Sequence, residues 1–453
     1  MSEHDFDVVV IGMGPGAEYV AEDLARAGVS VAAVEERLVG GECPYWGCIP
    51  SKMMIRAADL LAEGRRIPGM AGTSVISPSW APVAKRIRDE ATDNWNDKVA
   101  ADRFTDLGGT LFRGHGTITA PGQVSVGDDV LRARRGIVIG TGSTPVIPPI
   151  DGLAGTPYWT NHEAIETEDV PSSLLVLGGG AIGAELAQVF ARFGCAVTVV
   201  EAQGQLLPME EPESGELLAK VFRADDITVS TGVRAASVGH DGRQFTVNLA
   251  GGSQLRGERL LVATGRRVDL AALGVGAIGL DERARFLDTD SQMLAAPGVW
   301  ALGDAVGKGA FTHMSMYEGG IILGQLLGRP RHPAEYHAVP RVTFTDPEIG
   351  AVGMTEAQAR QHLGDAVQTG ATELATSARG WIHRADGFIK LVADRERGVL
   401  VGATSAGPAG GEVLSMLTLA VHAEVPVQRL REMIYAYPTF HRAVEDAMSR
   451  LPS

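Results

Sequence analysis

One pattern constrains this chain more than any other, and it occurs twice. Residues 7–36 read "DVVVIGMGPGAEYVAEDLARAGVSVAAVEE", and residues 173–203 read "SLLVLGGGAIGAELAQVFARFGCAVTVVEAQ". Each is an apolar strand, a tight small-residue turn, a helix and a second strand ending on an acid. Gly12, Gly14 and Ala17 fill the three small positions of the first copy; Gly178, Gly180 and Gly183 fill those of the second. The first small residue permits the turn, the second lets a pyrophosphate approach the backbone, and the third lets helix and strand pack closely. The helix N-terminus then offers free N–H groups to the phosphates. Glu35 and Glu201 close the second strands, each 23 residues after its first glycine, where a carboxylate can accept hydrogen bonds from an adenosine ribose. One such glycine turn is weak evidence. Two, with flanking strands and matched acids, predict an α/β chain that binds two dinucleotides.

Glu201 also bears on cofactor choice. A carboxylate there binds a free 2′-hydroxyl and repels a 2′-phosphate, and "EAQGQLL" supplies no arginine to offset it, so NADH is favoured over NADPH. Cys195, between the helix and second strand of that copy, reads as a packed structural thiol.

The chain's 453 residues suffice for two or three domains. Its net charge of −15 argues against nucleic acid or an anionic membrane as partner. No apolar run reaches the roughly 18 residues of a spanning helix, so no membrane insertion is expected. "MSEHDFDVVVIG" enters a strand directly, without the basic and apolar regions of a secretory leader. Three cysteines do not make a secreted disulfide scaffold, and the expected location is cytoplasmic.

Two of those cysteines lie in "GGECPYWGCIPSK", residues 40–52. A zinc site fails on ligand count, since no second Cys/His pair at zinc spacing lies nearby. A static disulfide is possible but unusual in a reducing compartment. A redox pair is favoured by position, a few residues after the first nucleotide-binding unit. The following "SKMMIRAADLLAEG" reads as a helix with Met53, Ile55, Ala57, Leu60 and Leu61 apolar, and its N-terminus would stabilise a nearby thiolate.

This segment resembles the active-site segment of the class I pyridine nucleotide-disulfide oxidoreductases, which include dihydrolipoamide dehydrogenase, glutathione reductase and mercuric reductase. The resemblance runs from about Asp5 to about Ala447. It includes "GTGSTPVIP" (140–148), with Thr141 and Gly142; "ATGRRVDL" (263–270), with Gly265; "VWALGDAVG" (299–307), with Asp304; and "VTFTDPEIGAVGMTEAQA" (342–359). It implies FAD in the first unit, NAD in the second, and Asp304 hydrogen-bonded near the flavin ribityl chain. Cys48 becomes the flavin-proximal thiol and Cys43 the one that meets the substrate. Lys52 and Glu185 become an ion pair near the flavin N5.

The implied fold is two doubly wound, Rossmann-like domains with a C-terminal α+β dimerisation domain. Its boundaries fall at 1–148 and 272–337 for FAD, 149–271 for NAD and 338–453 for the interface. The resemblance implies a homodimer, because a partner's C-terminal segment completes each site.

The C-terminal segment departs from the pattern. Disulfide reductases of this family carry a His-Pro there, with a glutamate five residues after the histidine, to shuttle and orient a proton. Here "YAYPTFHRAVEDAM" puts Tyr437 at the base position and Arg442 at the orienting one. Tyrosine, with an ordinary pKa of about 10, is a poor base, and arginine accepts no hydrogen bond. A displaced dyad through His441, with Glu445 and Asp446 beyond it, requires a helix that starts after Pro438 and sets His441 one turn from Tyr437. A histidine at the dimer surface is the alternative. His313, in "FTHMSMYEGG", reads as structural rather than catalytic.

Between the cysteines, Pro44, Tyr45 and Trp46 form either an apolar platform for a quinone-like acceptor or packing against the next helix. The expected activity is FAD-dependent, NADH-linked electron transfer to the Cys43–Cys48 disulfide and on to a small-molecule acceptor. The rivals are a quinone, dye or metal-ion reductase that needs no thiol proton shuttle, and a slow-turnover redox sensor.

Overall fold

Val8, Val9 and Val10 are fully buried, as an apolar strand covered on both faces must be. They lie in strand Ser2–Ile11, at the middle of a sheet in the computed structural model, which describes residues 2–329 and 331–452. Across that sheet the order is Leu294–Ala296, Val299–Ala301, Asp129–Ile139, Ser2–Ile11, Val31–Glu35 and Thr110–Arg113. Strand Ser2–Ile11 runs parallel to both neighbours, with Val8 opposite Val31 on one side and Gly136 on the other. Helices Pro15–Arg26 and Thr312–Leu326 pack together over it. This sheet belongs to a compact unit made of Met1–Ser51, Ala84–Val146 and Arg266–Tyr336.

The second unit comprises Lys52–Val83, Ile147–Gly265 and His337–Ser453. It holds a parallel sheet in the order Thr228–Thr231, Ala196–Glu201, Ser173–Leu177, Arg259–Val262, with helix Ala181–Arg192 following its central strand. An antiparallel sheet of Ala235–His240, Phe245–Leu249 and Gln254–Gly257 accompanies it. A third sheet is antiparallel, in the order Pro340–Thr343, Glu348–Gly353, Val399–Gly407, Phe388–Asp394, Val367–Glu373. Its apolar face is covered by helices Gly410–His422 and Arg442–Ser449. The α/β architecture with parallel sheets and a C-terminal α+β portion is as expected.

The helix expected after the cysteine segment spans Cys48–Arg66. Met54, Ile55, Ala58 and Ala62 face inward, following the i, i+1, i+4, i+8 rows of one helical face, while Leu60 is 51% exposed. Among the described residues no helix is long and apolar enough to cross a membrane.

Candidate active site

The two glycine turns are built alike. At Gly12 the backbone takes φ +85°, and a Cβ there would lie 2.5 Å from the Gly140 carbonyl oxygen. At Gly178 φ is +108°, and a Cβ would meet the Ala263 oxygen at 2.2 Å. By contrast, the middle glycines face open space: a Cβ on Gly14 finds nothing nearer than 4.0 Å, and one on Gly180 finds nothing within 4 Å. These are cradles that a side chain would fill and a pyrophosphate can enter. Ala17 packs where a Cβ on Gly140 would come within 2.5 Å of its own, and Gly183 lies so close to the Gly178 oxygen that a Cβ would sit 2.0 Å away. Thr141 and Gly142 continue the loop beside Gly12, and Gly142 and Gly265 adopt positive φ over open space.

The acids match as well. Glu35 accepts hydrogen bonds from Met13 N and Arg37 N, both at 2.7 Å. Glu201 accepts them from Gly179 N and Gln203 N, both at 2.6 Å. In each case the donors are the residue after the first glycine and the second residue after the acid. Each oxygen keeps a lone pair for a ribose hydroxyl. Burial raises the Glu35 carboxyl above its ordinary value, against the pull of its two amide hydrogen bonds.

The redox segment follows Glu35 in the first unit. Cys43 lies in the short helix Glu42–Tyr45, and Cys48 opens helix Cys48–Arg66. Both stand as thiols, and the Cys43 thiol is hydrogen-bonded to Cys48. That bond first, and burial second, hold the Cys43 thiol well above its ordinary value. Thr312 Oγ1 lies 3.5 Å from the Cys48 sulfur. Tyr45 is buried and Trp46 only partly so, their rings 5.9 Å apart. Tyr45 is therefore packing, which leaves Trp46 alone of the two with an accessible face.

Asp304 is held by residues that sequence reasoning passed over. Ser143 Oγ donates to its carboxylate. Arg266 donates to Ser143 Oγ at 2.8 Å and to the Ser143 carbonyl at 2.6 Å, and comes within 3.9 Å of Asp304. The same guanidinium lies 3.5 Å from Glu42, the residue before Cys43. Both Ser143 and Arg266 fall inside motifs already singled out, and that was the available signal. His313 is exposed and stacks on Phe311, with ring centroids 5.1 Å apart.

In the second unit Lys52 Nζ donates to Glu185 Oε2 at 2.8 Å, and the other Glu185 oxygen accepts from Phe344 N at 2.8 Å. The Lys52 ammonium also lies 4.6 Å from the centre of the Phe344 ring. Cys195 is buried, and burial pushes its thiol up to about 12, as befits an inert structural thiol.

The C-terminal segment behaves differently. Tyr437 is 72% exposed in a turn, beside the exposed Met433 and Ile434. The helix after Pro438 does not begin until Arg442, running Arg442–Ser449, and His441 is its N-cap rather than a residue one helical turn beyond Tyr437. Thr439 Oγ1 bonds back to the Ala436 carbonyl at 2.7 Å, which closes a turn there instead. The Glu445 carboxylate is engaged by Arg442.

Residues 6–319 match the family model for pyridine nucleotide-disulphide oxidoreductases, and residues 339–448 match that family's dimerisation domain. The chain belongs to this family. As a pyridine nucleotide-disulphide oxidoreductase it is a flavoprotein oxidoreductase that uses FAD and a pyridine nucleotide, and the open glycine turns and matched acids fit both groups. A dihydrolipoyl dehydrogenase from Chlorobaculum tepidum is 32% identical over 98% of this chain and 96% of its own length. A mercuric reductase from Streptomyces lividans is 32% identical over 99% and 96%. Among solved structures, the Cu(II) complex of a mutant of the HOCl-induced flavoprotein disulfide reductase RclA from Escherichia coli superposes with TM-score 0.86. It is 26% identical and covers 99% of both chains.

Proposed function

We propose that this family member passes an electron pair from NADH through FAD to the Cys43–Cys48 disulfide and from there to a small-molecule acceptor. The observation that carries this reading is the hydrogen-bonded cysteine pair, with Cys48 at a helix N-terminus and Cys43 beside the Glu42–Arg266–Ser143–Asp304 chain. FAD, when bound, supplies the two-electron carrier between nicotinamide and disulfide. Gly12, Gly14 and Ala17 leave room for its pyrophosphate, Glu35 orients its ribose, and Asp304 receives its ribityl chain. Gly178, Gly180, Gly183 and Glu201 do the same for the nicotinamide nucleotide, with Gly265 in the facing turn and the carboxylate favouring NADH. Thr141 and Gly142 line the turn beside Gly12. Lys52, fixed by Glu185, contributes a positive charge toward the reacting centre.

The domain division at 148, 271 and 337 belongs to this reading, as does a homodimer. The dimer is supported by the dimerisation-domain match and by the exposed Met433, Ile434 and Tyr437.

A second reading concerns the acceptor. The hydrogen bond to Cys48 and burial disfavour the Cys43 thiolate, and neither Tyr437 nor His441 is arranged with an acid to help form it. Disulfide exchange needs the thiolate. An acceptor that takes electrons without thiol exchange, such as a quinone or a metal ion, avoids that requirement, and RclA was solved with Cu(II). NADH oxidation with lipoamide, a quinone and Cu(II), in wild type and in Cys43→Ser/Cys48→Ser, separates the readings. Lipoamide reduction abolished in the variant supports disulfide exchange. Quinone or Cu(II) reduction without lipoamide turnover supports the second reading. Loss of no activity in the variant removes the disulfide from the path.

A further inference from the structure

The Lys52–Glu185 pair has a counterpart seven residues further along both helices. Asp59 lies seven residues beyond Lys52 on helix Cys48–Arg66, and Arg192 lies seven beyond Glu185 on helix Ala181–Arg192. Arg192 Nη1 donates to Asp59 Oδ1 at 2.8 Å, matching the 2.8 Å of the first pair. The offset has the same sign on both helices, so they run in the same direction, with two ionic rungs roughly 10 Å apart. The charges are swapped between rungs: base to acid at the first, acid to base at the second.

A third element is threaded along both rungs. Glu185 accepts from Phe344 N; Gln188 accepts from Asp346 N at 2.8 Å and donates to the Asp346 carbonyl at 3.0 Å; Arg192 Nη2 reaches Asp346 Oδ2 at 2.8 Å. Positions 185, 188 and 192 form one face of the helix. The remaining Arg192 nitrogen, Nε, donates to Asp225 at 3.2 Å. One arginine that is 2% exposed thus serves three carboxylates on three separate segments.

We propose that Arg192 is a positioning residue for the Lys52–Glu185 pair, fixing the register of both helices and of segment 344–346 in which Lys52 and Glu185 meet. The proposal rests on reading that pair as the charge near the reacting centre. The planar guanidinium fixes the directions in which Asp59, Asp225 and Asp346 are held, whereas the three donors of an ammonium turn freely about one nitrogen. A buried ion network of this kind is weak as a source of stability, because apolar packing would serve as well, and its distinguishing capacity is to specify one arrangement. A two-helix contact made of apolar side chains can slip, whereas a one-residue slip here would face Asp59 away from Arg192 and Lys52 away from Glu185.

The test uses the FAD-loaded protein and two readouts. Lys52, with 35% of its side chain exposed, can be reached by limiting acetic anhydride, and its acetylation rate followed by mass spectrometry reports whether Glu185 still holds it. Flavin equilibrium against a reference dye reports the charge felt by the cofactor. Glu185→Gln sets the maximal acetylation. Arg192→Met is expected to show most of that increase and to shift the dye equilibrium toward oxidised flavin about tenfold, about 30 mV for two electrons. Arg192→Lys, which keeps one charge and fewer bonds, is expected to fall between. Val247→Ala, which removes a fully buried side chain from the three-stranded sheet, controls for general destabilisation and is expected to move neither readout.

Where Arg192→Met yields no folded protein, Arg192→Gln/Asp346→Asn removes a charge of each sign and serves in its place. Wild-type acetylation in Arg192→Met or its substitute overturns the proposal. Raised acetylation with an unmoved dye equilibrium, in that variant and in Glu185→Gln, upholds the positioning role and instead sinks the catalytic reading of the pair.

Discussion

Around Gly12 and around Gly178 the chain sets a buried carboxylate on the same two backbone amides, within 0.1 Å of the same distances. The turns then diverge. The first accepts alanine at its third small position, while the second leaves no room for a Cβ beside the Gly178 oxygen. Beyond its acid, the first runs straight into the cysteine segment; the second continues into strand Thr228–Thr231 by way of helix Pro212–Ala224. The shared part is what a dinucleotide requires of a backbone. The divergent part is where each half acquires its own task, and the comparison predicts that identical substitutions will have different consequences.

The largest expected effect comes from removing each acid in turn. Glu35→Ala and Glu201→Ala each strand two amides, at a cost of about 1–3 kcal/mol apiece. Both variants should melt several degrees lower by calorimetry. The cofactor lost should differ: Glu35→Ala should shed FAD on gel filtration, and Glu201→Ala should keep FAD while its NADH-over-NADPH preference falls about tenfold. Loss of FAD from both would break the division of labour.

Next in size is the third small position. Gly183→Ala forces a Cβ into backbone and should cost about 1–3 kcal/mol or more, with weakened NADH binding. Ala17→Gly removes a methyl and adds helix entropy, for about 0.5–1 kcal/mol. Equal melting shifts would mean that the two turns pack alike after all.

A pH effect sharpens the first half further. Glu318, fully buried, accepts from Gly303 N at 2.6 Å and from Tyr336 Oη at 3.0 Å, beside the Asp304 turn. Burial raises its carboxyl to about 7, with Asp304 adding repulsion and Lys308 opposing it. A folded-state value above the unfolded one means the native protein favours the protonated form. The stabilisation is complete below pH ~4.5 and is lost as pH rises through about 7. Wild type should therefore lose stability between pH 5 and 8 relative to Glu318→Gln, measured by denaturant titration. Parallel profiles would remove Glu318 from the account.

The smallest effect on the fold should come from Tyr437→His. Its side chain is 72% exposed, so stability should stay within about 0.5 kcal/mol of wild type. Lipoamide turnover should rise more than quinone turnover if a missing base limits thiol exchange.

Much of the first comparison was legible in the sequence because glycine turns and strand ends are local. The positions of Gly12, Gly178, Glu35 and Glu201, and the helix after the cysteines, needed only short-range chemistry. The Arg266–Ser143–Asp304–Glu42 chain was not legible, since it joins segments more than 100 residues apart in sequence and each residue alone reads as an ordinary polar group. The same holds for Arg192 with Asp59 and Asp346, 133 and 154 residues away. The sequence marked helix Cys48–Arg66 as apolar at Leu60, but only packing decides that Ala58 and Ala62 are buried there and Leu60 is not. The terminal helix begins at Arg442 because a Thr439–Ala436 hydrogen bond closes a turn first.

The central claim is that electrons from NADH reach Cys43 and Cys48. Its most direct test is anaerobic addition of one equivalent of NADH to the oxidised, FAD-loaded protein, followed by alkylation and mass spectrometry of the cysteines. The account predicts that, once the protein is unfolded at mildly alkaline pH for alkylation, Cys43 and Cys48 take up the label only after NADH, that Cys195 takes it up with or without NADH, and that the flavin absorbance, read before unfolding, largely survives. Bleached flavin with Cys43 and Cys48 still resistant to alkylation would contradict it.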